Sequence, residues 1–568
     1  MKKVILVSIV ILAFGCSSQQ TADLILQNGT IYTVNESAPV AEAVAVKNGQ
    51  IVFVGSNMEA ASWQGNNTKL VDLDGKTMTP GFIEGHGHLM GLGYNELDLD
   101  LLSVKSYEEM VSMVKEAAET ATPGEWILGR GWHQDKWDSL PENMIKGFQT
   151  HHKLSEVSPN NPVFLRHASG HLAIANSKAM EIAGINLLSN EQLETELQGG
   201  EVFRDELGNP TGIFNELAMT LIDKHIPKST EERDRSALEL AIKACHENGI
   251  TSFHDAGVYQ SNIDLYEKFL DEGKLGIRIY AMIYGREESL LEEWLKRGIY
   301  EDSSRFLSVR SIKLNCDGAL GSRGAWLLED YADMPGQKGH ETFPMEKVLE
   351  ISNKALETGF QVCSHAIGDR ANREILDRYE IAFDNHPEQA ENSRFRIEHA
   401  QHIHPDDIPR FAELGVIPAM QAIHMSSDRP WAIDRLGKKR IEEGAYMWQT
   451  LLKSGAVIVN GTDVPVEPIN PIACFYSSVS RKTLKGEPED GYEPAEKMTR
   501  DQALRSYTLD AAYGEFSEDV KGSIEVGKLA DFTVFSQDIM NIEESEILNT
   551  VVDMTIVDGN IVYNRVQE

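Results

Sequence analysis

The chain is poor in cysteine, in positive charge and in long apolar runs. Apart from Cys16, its cysteines are Cys245, Cys316, Cys363 and Cys474. None forms a Cys-x-x-Cys pair, which argues against a zinc knuckle or a dithiol redox motif. Lys and Arg total 53 against 88 Asp and Glu, a formal charge of −35, so the surface would repel nucleic acid and anionic lipid. Beyond the N-terminal segment, no apolar run of about 18 residues predicts a membrane-spanning helix.

The first sixteen residues have the pattern of an export signal. A basic start at Lys2-Lys3 precedes an apolar core, residues 4–14, that is too short to span a bilayer. Gly15-Cys16-Ser17-Ser18 follows it and resembles a bacterial lipobox, in which the cysteine is lipidated. We therefore expect residues 1–16 to be a lipoprotein signal peptide.

Lipidation of Cys16 would make the membrane a partner through the lipid anchor alone. Residues 17–22 then form a short polar tether, and Ser17 after the cysteine resembles export to an outer membrane. Ala13 departs from the lipobox pattern, which usually has leucine at this position. An ordinary secretory signal that is cut nearby is the alternative.

Two histidines stand one residue apart at the end of an apolar stretch, in His86-Gly87-His88. Strand side chains alternate with period two, so both imidazoles point to the same side and can hold one metal ion. A single pair of histidines at this spacing is weak evidence for a metal site. Later apolar stretches also end in ligand-type residues, namely Lys313 with Asp317, His365, Glu398 with His399, and Asp463. This constellation predicts a metal-dependent hydrolase.

The middle of the chain alternates apolar strand candidates with helical stretches such as 343–358 and 369–384. Eight strands in this pattern predict an α/β fold of the (β/α)₈ type, with active-site residues at the carboxyl ends of the strands. An open doubly wound sheet is the alternative. The predicted strands are 79–86, 249–254, 278–284, 307–314, 359–365, 394–399, 415–420 and 456–460.

Short β segments at both ends of the chain predict one small composite β-sandwich, built from residues 23–78 and 515–568. Asn48-Gly49 and Asp558-Gly559 indicate hairpin turns within it. The hydrolase barrel then spans 79–514. Its insertion 90–248 is too long for one helix, and insertions after barrel strands lie over the active-site mouth. We expect this segment to form the lid and the substrate region.

Several motifs in a fixed order resemble the amidohydrolase superfamily, in particular the branch that contains N-substituted formamide deformylase. The resemblance runs from about Asp23 to Asn564. Glu84 departs from it, because the family usually has aspartate there. The motifs are Thr79-Pro80-Gly81-Phe82-Ile83, His86-Gly87-His88, Lys313, Asp317-Gly318-Ala319-Leu320-Gly321-Ser322-Arg323, His365-Ala366-Ile367-Gly368-Asp369, Glu398-His399-Ala400-Gln401, Gly461-Thr462-Asp463 and Gly522-Ser523-Ile524-Glu525-Val526-Gly527-Lys528-Leu529-Ala530-Asp531.

The resemblance implies two divalent metal ions, which we expect to be zinc. His86, His88 and Asp463 would hold one, and His365 and His399 the other. Lys313 would bridge them as a carbamate, since a protonated lysine cannot bind a cation whereas a carbamate offers two anionic oxygens. A buried Lys313 paired with Asp317, in a site with one metal, is the alternative.

The resemblance also implies hydrolysis of a C–N bond in an amide, N-acyl, N-formyl or cyclic amide substrate. Asp463 would be the catalytic residue that moves the proton from water to the leaving nitrogen. The candidate substrate-binding residues are Arg323, His171, His424 and Trp132. A lactonase or a carbamate esterase on the same site, or a solute-binding lipoprotein without catalysis, are the alternatives. The partner is a small molecule, and an oligomer is possible.

Overall fold

The computed structural model describes residues 21–185 and 200–565. Its centre is a sheet of eight parallel strands in which each strand pairs with the next along the chain. The first and last strands also meet, because the backbone N–H of Asp463 donates to His86 O at 2.8 Å. The predicted barrel is confirmed, and the alternative prediction of an open doubly wound sheet is wrong. The strands are Phe82–Gly87, Ile250–Val258, Arg278–Tyr284, Leu307–Asn315, Gln361–Ala366, Arg396–His399, Ile417–Met420 and Val459–Asn460.

Amphipathic helices follow these strands and cover the outside of the barrel. The two that the sequence predicts lie at Met345–Thr358 and Asp369–Asn385. The first ends at Gly359, whose left-handed φ of 82° only glycine adopts readily. The other helices from residue 231 onward are Glu231–Glu247, Gln260–Asp271, Glu288–Arg297, Pro387–Ala390, Ile408–Leu414, Ala422–Leu436, Lys438–Gly444, Trp448–Ser454, Pro471–Ser480, Arg500–Ser506 and Leu509–Gly514.

The long insertion after the first barrel strand builds its own sheet of six strands. Hydrophobic clusters cover this sheet separately from the barrel core. In spatial order the strands are Gly200–Arg204, Pro210–Glu216, Leu172–Ala175, Val163–His167, Ile127–Trp132 and Leu99–Asp100. Between residues 89 and 223, the described part of the chain contains the helices Leu89–Leu97, Tyr107–Thr120, His152–Val157, Ser177–Ile182 and Thr220–Asp223.

The two chain ends form two further sheets that share one hydrophobic cluster. Asn48-Gly49 and Asp558-Gly559 are hairpin turns with positive φ, as predicted. The turns touch each other, since a Cβ on Gly49 would lie 2.4 Å from Asp558 Oδ1. One sheet contains Leu24–Gln27, Ala43–Lys47, Gln50–Gly55 and Lys69–Asp72, and the other contains Thr30–Tyr32, Val40–Ala41, Thr77–Pro80, Phe532–Phe535, Val552–Val557 and Asn560–Asn564.

The predicted signal peptide and Cys16 lie outside the described residues. Cys245, Cys316, Cys363 and Cys474 are buried and free. Within residues 21–185 and 200–565, no helix combines the length and hydrophobicity that crossing a membrane requires.

Candidate active site

All six predicted metal ligands line one cavity at the carboxyl end of the barrel. The cavity has a volume of about 280 Å³. Because parallel strands of a barrel end on the same side, ligands from distant parts of the chain converge there. The six are His86, His88, Lys313, His365, His399 and Asp463.

Asp463 stands among three of the histidines. Its Oδ1 lies 3.2 Å from His88 Nε2 and 3.7 Å from His86 Nε2, and its Oδ2 lies 4.0 Å from His399 Nδ1. His86, His399 and Asp463 each offer a ligand atom within 4.8 Å of the others. Imidazole nitrogens and a carboxylate at this spacing form a donor set that suits a divalent transition metal.

Several of these ligand atoms are buried without a hydrogen-bond partner in the described chain. They include His86 Nε2, His365 Nε2 and Asp463 Oδ1. Buried polar atoms without partners are costly, so a protein keeps them where something else satisfies them. A bound cation would do so, and the residues therefore fit the metal that their types predict.

Three of the histidines are held by their Nδ1 atoms, which leaves Nε2 as the free nitrogen of the ring. His86 Nδ1 contacts Glu398 Oε2, His88 Nδ1 lies 2.8 Å from Ala256 O, and His399 Nδ1 lies 2.8 Å from Gln421 Oε1. An acceptor at Nδ1 places the proton there and leaves the Nε2 lone pair for a metal.

The acceptor for His86 is one half of a buried ion pair. Arg396 Nε donates to Glu398 Oε1 at 2.7 Å and Arg396 Nη2 to Glu398 Oε2 at 2.9 Å, with both side chains fully buried. Arg396 also donates to Gly85 O at 2.7 Å. Burial alone would raise the pKa of Glu398, but Arg396 and His86 hold this pKa far below its usual value. Glu398 is therefore an anion that orients His86.

Glu84 connects the strand of the first two ligands to the loop of Asp463. It accepts hydrogen bonds from Thr462 N at 2.6 Å and from Thr462 Oγ1 at 2.9 Å. Asp463 has a φ of 59° and His399 a φ of 74°, a region that residues with a side chain rarely adopt and that clusters at functional sites. The sequence identified Glu84 only as a departure from the family pattern.

Lys313 is a buried lysine without an ion-pair partner among the described residues. Its exposed fraction is 3%, and burial lowers its pKa. Asp317 is engaged elsewhere, since it accepts hydrogen bonds from the backbone N–H groups of Trp326, Ile367 and Gly368. No ion pair joins Lys313 to Asp317 in the described chain.

Electrostatics keep His86, His365 and His399 neutral and Asp463 ionised. Burial lowers the pKa of His86 to about 4, although Glu398 opposes the shift. Burial likewise lowers the pKa of His365 and of His399. Burial would raise the pKa of Asp463, but the neighbouring His88 and the other imidazoles hold this pKa well below its usual value. Neutral imidazole and carboxylate are the forms that bind metal.

The insertion supplies the opposite wall of the cavity. His171 lines the cavity, its ring centroid lies 5.8 Å from that of His365, and its Nδ1 is 3.0 Å from Glu216 Oε2. His424 comes from the barrel and also lines the cavity. Arg130, His133, Lys136, His167 and Ser169 are further insertion residues in this wall.

Two of the predicted substrate residues lie elsewhere. Arg323 is outside the residues that line the cavity in the described chain, and its Nη2 forms an ion pair with Asp333 at 2.8 Å. Trp132 is fully buried in the hydrophobic cluster of the insertion, where its Nε1 donates to Leu165 O at 3.0 Å. The tryptophan in the cavity wall is Trp431.

The sequence pattern of the amidohydrolase family matches residues 69–563. The chain belongs to the amidohydrolase family. This amidohydrolase is 34% identical over 554 residues to Protein LONG AFTER FAR-RED 3 of Arabidopsis thaliana, which covers 95% of this chain and 92% of that protein. It is 28% identical over 561 residues to the N-substituted formamide deformylase of Arthrobacter pascens. That alignment covers 96% of this chain and 99% of that protein.

A solved structure shares the fold of this amidohydrolase. It is an uncharacterized metal-dependent hydrolase from Pyrococcus furiosus, with a TM-score of 0.71 and 28% identity, covering 91% of this chain and 100% of that one. The family and this neighbour support a metal-dependent hydrolase that uses divalent metal and acts on a small molecule.

Sequence reasoning missed the functional parts that act through tertiary contacts. Glu398 was visible as part of a ligand-bearing strand, and the period of two in Arg396–His399 places it beside Arg396. Its contact with His86 spans 312 residues of sequence and leaves no local signal. No sequence motif indicated that Arg130 and Lys136 would line the cavity.

Proposed function

We propose that this amidohydrolase hydrolyses the C–N bond of an amide, N-acyl or N-formyl compound, or of a cyclic amide, at a site for two divalent metal ions. The observation that carries the proposal is the convergence of six ligand-type side chains on one cavity, together with the buried unpaired ligand atoms. The similarity to the N-substituted formamide deformylase of Arthrobacter pascens supports the choice of the C–N bond.

Divalent metal ions bound here would lower the pKa of water toward neutrality and polarise a carbonyl group. His86, His88 and Asp463 would hold one ion, and His365 and His399 the other. We infer zinc, because imidazole with carboxylate suits it. Glu398 fixes the ring of His86 through Nδ1, and the hydrogen bonds from Thr462 to Glu84 fix the backbone before Asp463.

Asp463 is the residue that moves the proton. It is ionised, and its Oδ1 is buried without a hydrogen-bond partner among the described residues, so it can accept a proton from the attacking water. It then donates this proton to the leaving nitrogen, which allows the C–N bond to break with a neutral amine as product. His171 and His424, both in the cavity wall, are placed to contact the substrate.

Lys313 would carry the bridge between the ions as a carbamate. Carbon dioxide reacts with a neutral amine, and a buried Nζ without an ion pair is suited to that reaction. We further propose that export with lipid on Cys16 holds the enzyme on the outer membrane, and that the two sheets from the chain ends form a composite β-sandwich domain. These proposals rest on the sequence patterns.

Turnover of formamides and N-acyl amines by the metal-loaded enzyme tests the function. We expect release of formate or carboxylate with wild type, and a loss of about 10²- to 10⁴-fold in kcat for Asp463→Asn, the typical scale for removing an acid–base group. Asp333→Asn is a control outside the cavity wall of the described chain. Ester or lactone turnover without any amide turnover would contradict the C–N assignment.

A further inference from the structure

Arg130 is a cation in the cavity wall that no carboxylate of the described chain neutralises. Its Nη2 donates to Ala168 O at 3.0 Å, and its Nε is buried without a partner within residues 21–185 and 200–565. Asp463 attracts it electrostatically but lies beyond ion-pair distance. Lys136, a neighbouring cation in the wall, is already paired with Glu467 at 2.9 Å.

The local backbone directs Arg130 to the cavity and Trp132 to the core. The pairing between their strand and Val163–His167 slips by one residue between these two positions. Gly131 stands at this bulge with a φ of 117°, and a Cβ there would lie 2.6 Å from Leu102 N. Simple alternation would place residues 130 and 132 on the same face, and a bulge re-aims one of them.

Arg130 remains charged under working conditions. Burial lowers its pKa to about 10, so the guanidinium is protonated at neutral pH. Its side chain is half-buried in the cavity wall, and a charge withdrawn from water without an ionic partner is unfavourable in a folded protein. A planar guanidinium matches a carboxylate through two parallel hydrogen bonds, so an anionic group on the substrate would satisfy it.

The surroundings of Arg130 define where this group would lie. Its Nη2 lies 3.3 Å from the position that a Cβ on Gly170 would take, and the next residue, His171, has its ring 5.8 Å from that of His365. The guanidinium is therefore on the insertion side of the cavity, across from the metal ligands. Leu320, Trp431 and Val466 give the cavity an apolar part.

We propose that Arg130 binds a carboxylate on the substrate, and that the substrates of this site are N-acyl or N-formyl amino acids rather than neutral amides. The proposal rests on the proposed C–N hydrolysis and adds the substrate class to it. The amide carbonyl would lie at the metal ligands, and the carboxylate on the leaving amine would lie at Arg130.

Two probes with the same skeleton test the proposal on the zinc-loaded protein. N-formylphenylalanine and N-(2-phenylethyl)formamide differ by one carboxylate. We would measure kcat/KM from formate release and Kd by titration calorimetry. A hydrogen-bonded charge pair predicts that wild type prefers the carboxylate by about 10- to 100-fold in either quantity.

Variants separate Arg130 from the metal ions, which could also bind a carboxylate. Arg130→Gln can still donate to Ala168 O but lacks the charge, and it should reduce the preference to about twofold or less. Arg130→Lys keeps the charge and should retain part of the preference for the carboxylate probe. Arg166→Gln is the matched control, because Arg166 pairs in register with Arg130 but forms an ion pair with Asp223 at 2.5 Å. Its preference should equal that of wild type.

The outcomes distinguish this proposal from the proposed function. Equal values for the two probes in wild type, or a full preference that persists in Arg130→Gln, would overturn the carboxylate site while C–N hydrolysis stands. If neither probe releases formate, deformylation of these compounds fails, and the two Kd values still decide the role of Arg130. The wild-type comparison needs no variant and therefore holds even if Arg130→Gln does not fold.

Discussion

Replacing Glu398 by glutamine tests how the fold supports the metal site. Glu398 is fully buried between Arg396 and His86. The amide has nearly the same shape but no charge, so Arg396 would keep its hydrogen bonds to Gly85 O and His254 Nδ1 without its anion. The His86 ring would lose the carboxylate that orients it.

The structure allows the effects on the free energy of unfolding and on metal affinity to be estimated separately. Removing one partner of a buried ion pair typically costs about 3–5 kcal/mol in the free energy of unfolding. Removing the acceptor behind a metal-binding histidine typically costs about 10- to 100-fold in metal affinity, which is about 1.4–2.7 kcal/mol. The double variant Arg396→Met with Glu398→Gln removes both charges, so it should recover stability but not metal affinity.

Urea unfolding of the metal-free protein and zinc titration against a chelating dye give the two quantities. Asp531→Asn is the matched control, since Asp531 forms a buried pair with Arg278 at 2.7 Å and is not one of the cavity residues. It should lose stability and retain zinc affinity. The reasoning would be refuted if Glu398→Gln bound zinc within twofold of wild type, or if the double variant recovered zinc affinity.

Three further predictions follow from contacts in the cavity wall and elsewhere in the barrel. Thr462→Val removes a buried 2.9 Å hydrogen bond to Glu84 and should cost about 1–3 kcal/mol in urea unfolding; an unchanged unfolding curve would contradict the role of this contact. Burial would raise the pKa of Glu515, but Lys521 and His254 lower it from 4.5 to about 2, so its ionised form stabilises the fold above pH 4.5 and loses this effect as the pH falls toward 2. The difference in unfolding free energy between wild type and Glu515→Gln should therefore shrink by roughly 2 kcal/mol from pH 7 to pH 3, and a constant difference would contradict the shift. Arg323→Ala should leave kcat/KM within about twofold, because its partner is Asp333, whereas His424→Asn should lower it by about tenfold, the scale of one lost hydrogen bond; the reverse order would restore Arg323 as a substrate residue.

The barrel and the convergence of the six candidate ligands on one cavity could be predicted because their signals are local. Each strand is an apolar stretch, and each ligand stands at or just after a strand end, where the (β/α)₈ geometry collects them. The eighth strand shows the limit of this approach, since the structure assigns only Val459–Asn460 where the apolar stretch 456–460 predicts five residues. Strand ends depend on pairing partners, which a single segment does not reveal.

The predicted substrate residues that lie away from the cavity do so for identifiable physical reasons. Arg323 follows the lysine strand in sequence, but a loop with a φ of 61° at this residue carries it to Asp333. Trp132 lies in the hydrophobic core of the insertion while Arg130 lines the cavity, because a bulge at Gly131 breaks the alternation between them. The contact of Glu398 with His86, and that of Glu84 with Thr462, join segments hundreds of residues apart, and only the folded chain brings them together.

The metal content per chain tests the central claim most directly. Elemental mass spectrometry would be applied to protein that lacks residues 1–16 and is produced with zinc and bicarbonate. The account predicts about two zinc ions per chain, falling to about one or fewer in Lys313→Met, with the folded fraction checked by circular dichroism. Protein that is folded and holds no metal would contradict the metal-dependent hydrolase, and one ion in both wild type and Lys313→Met would contradict the bridged site.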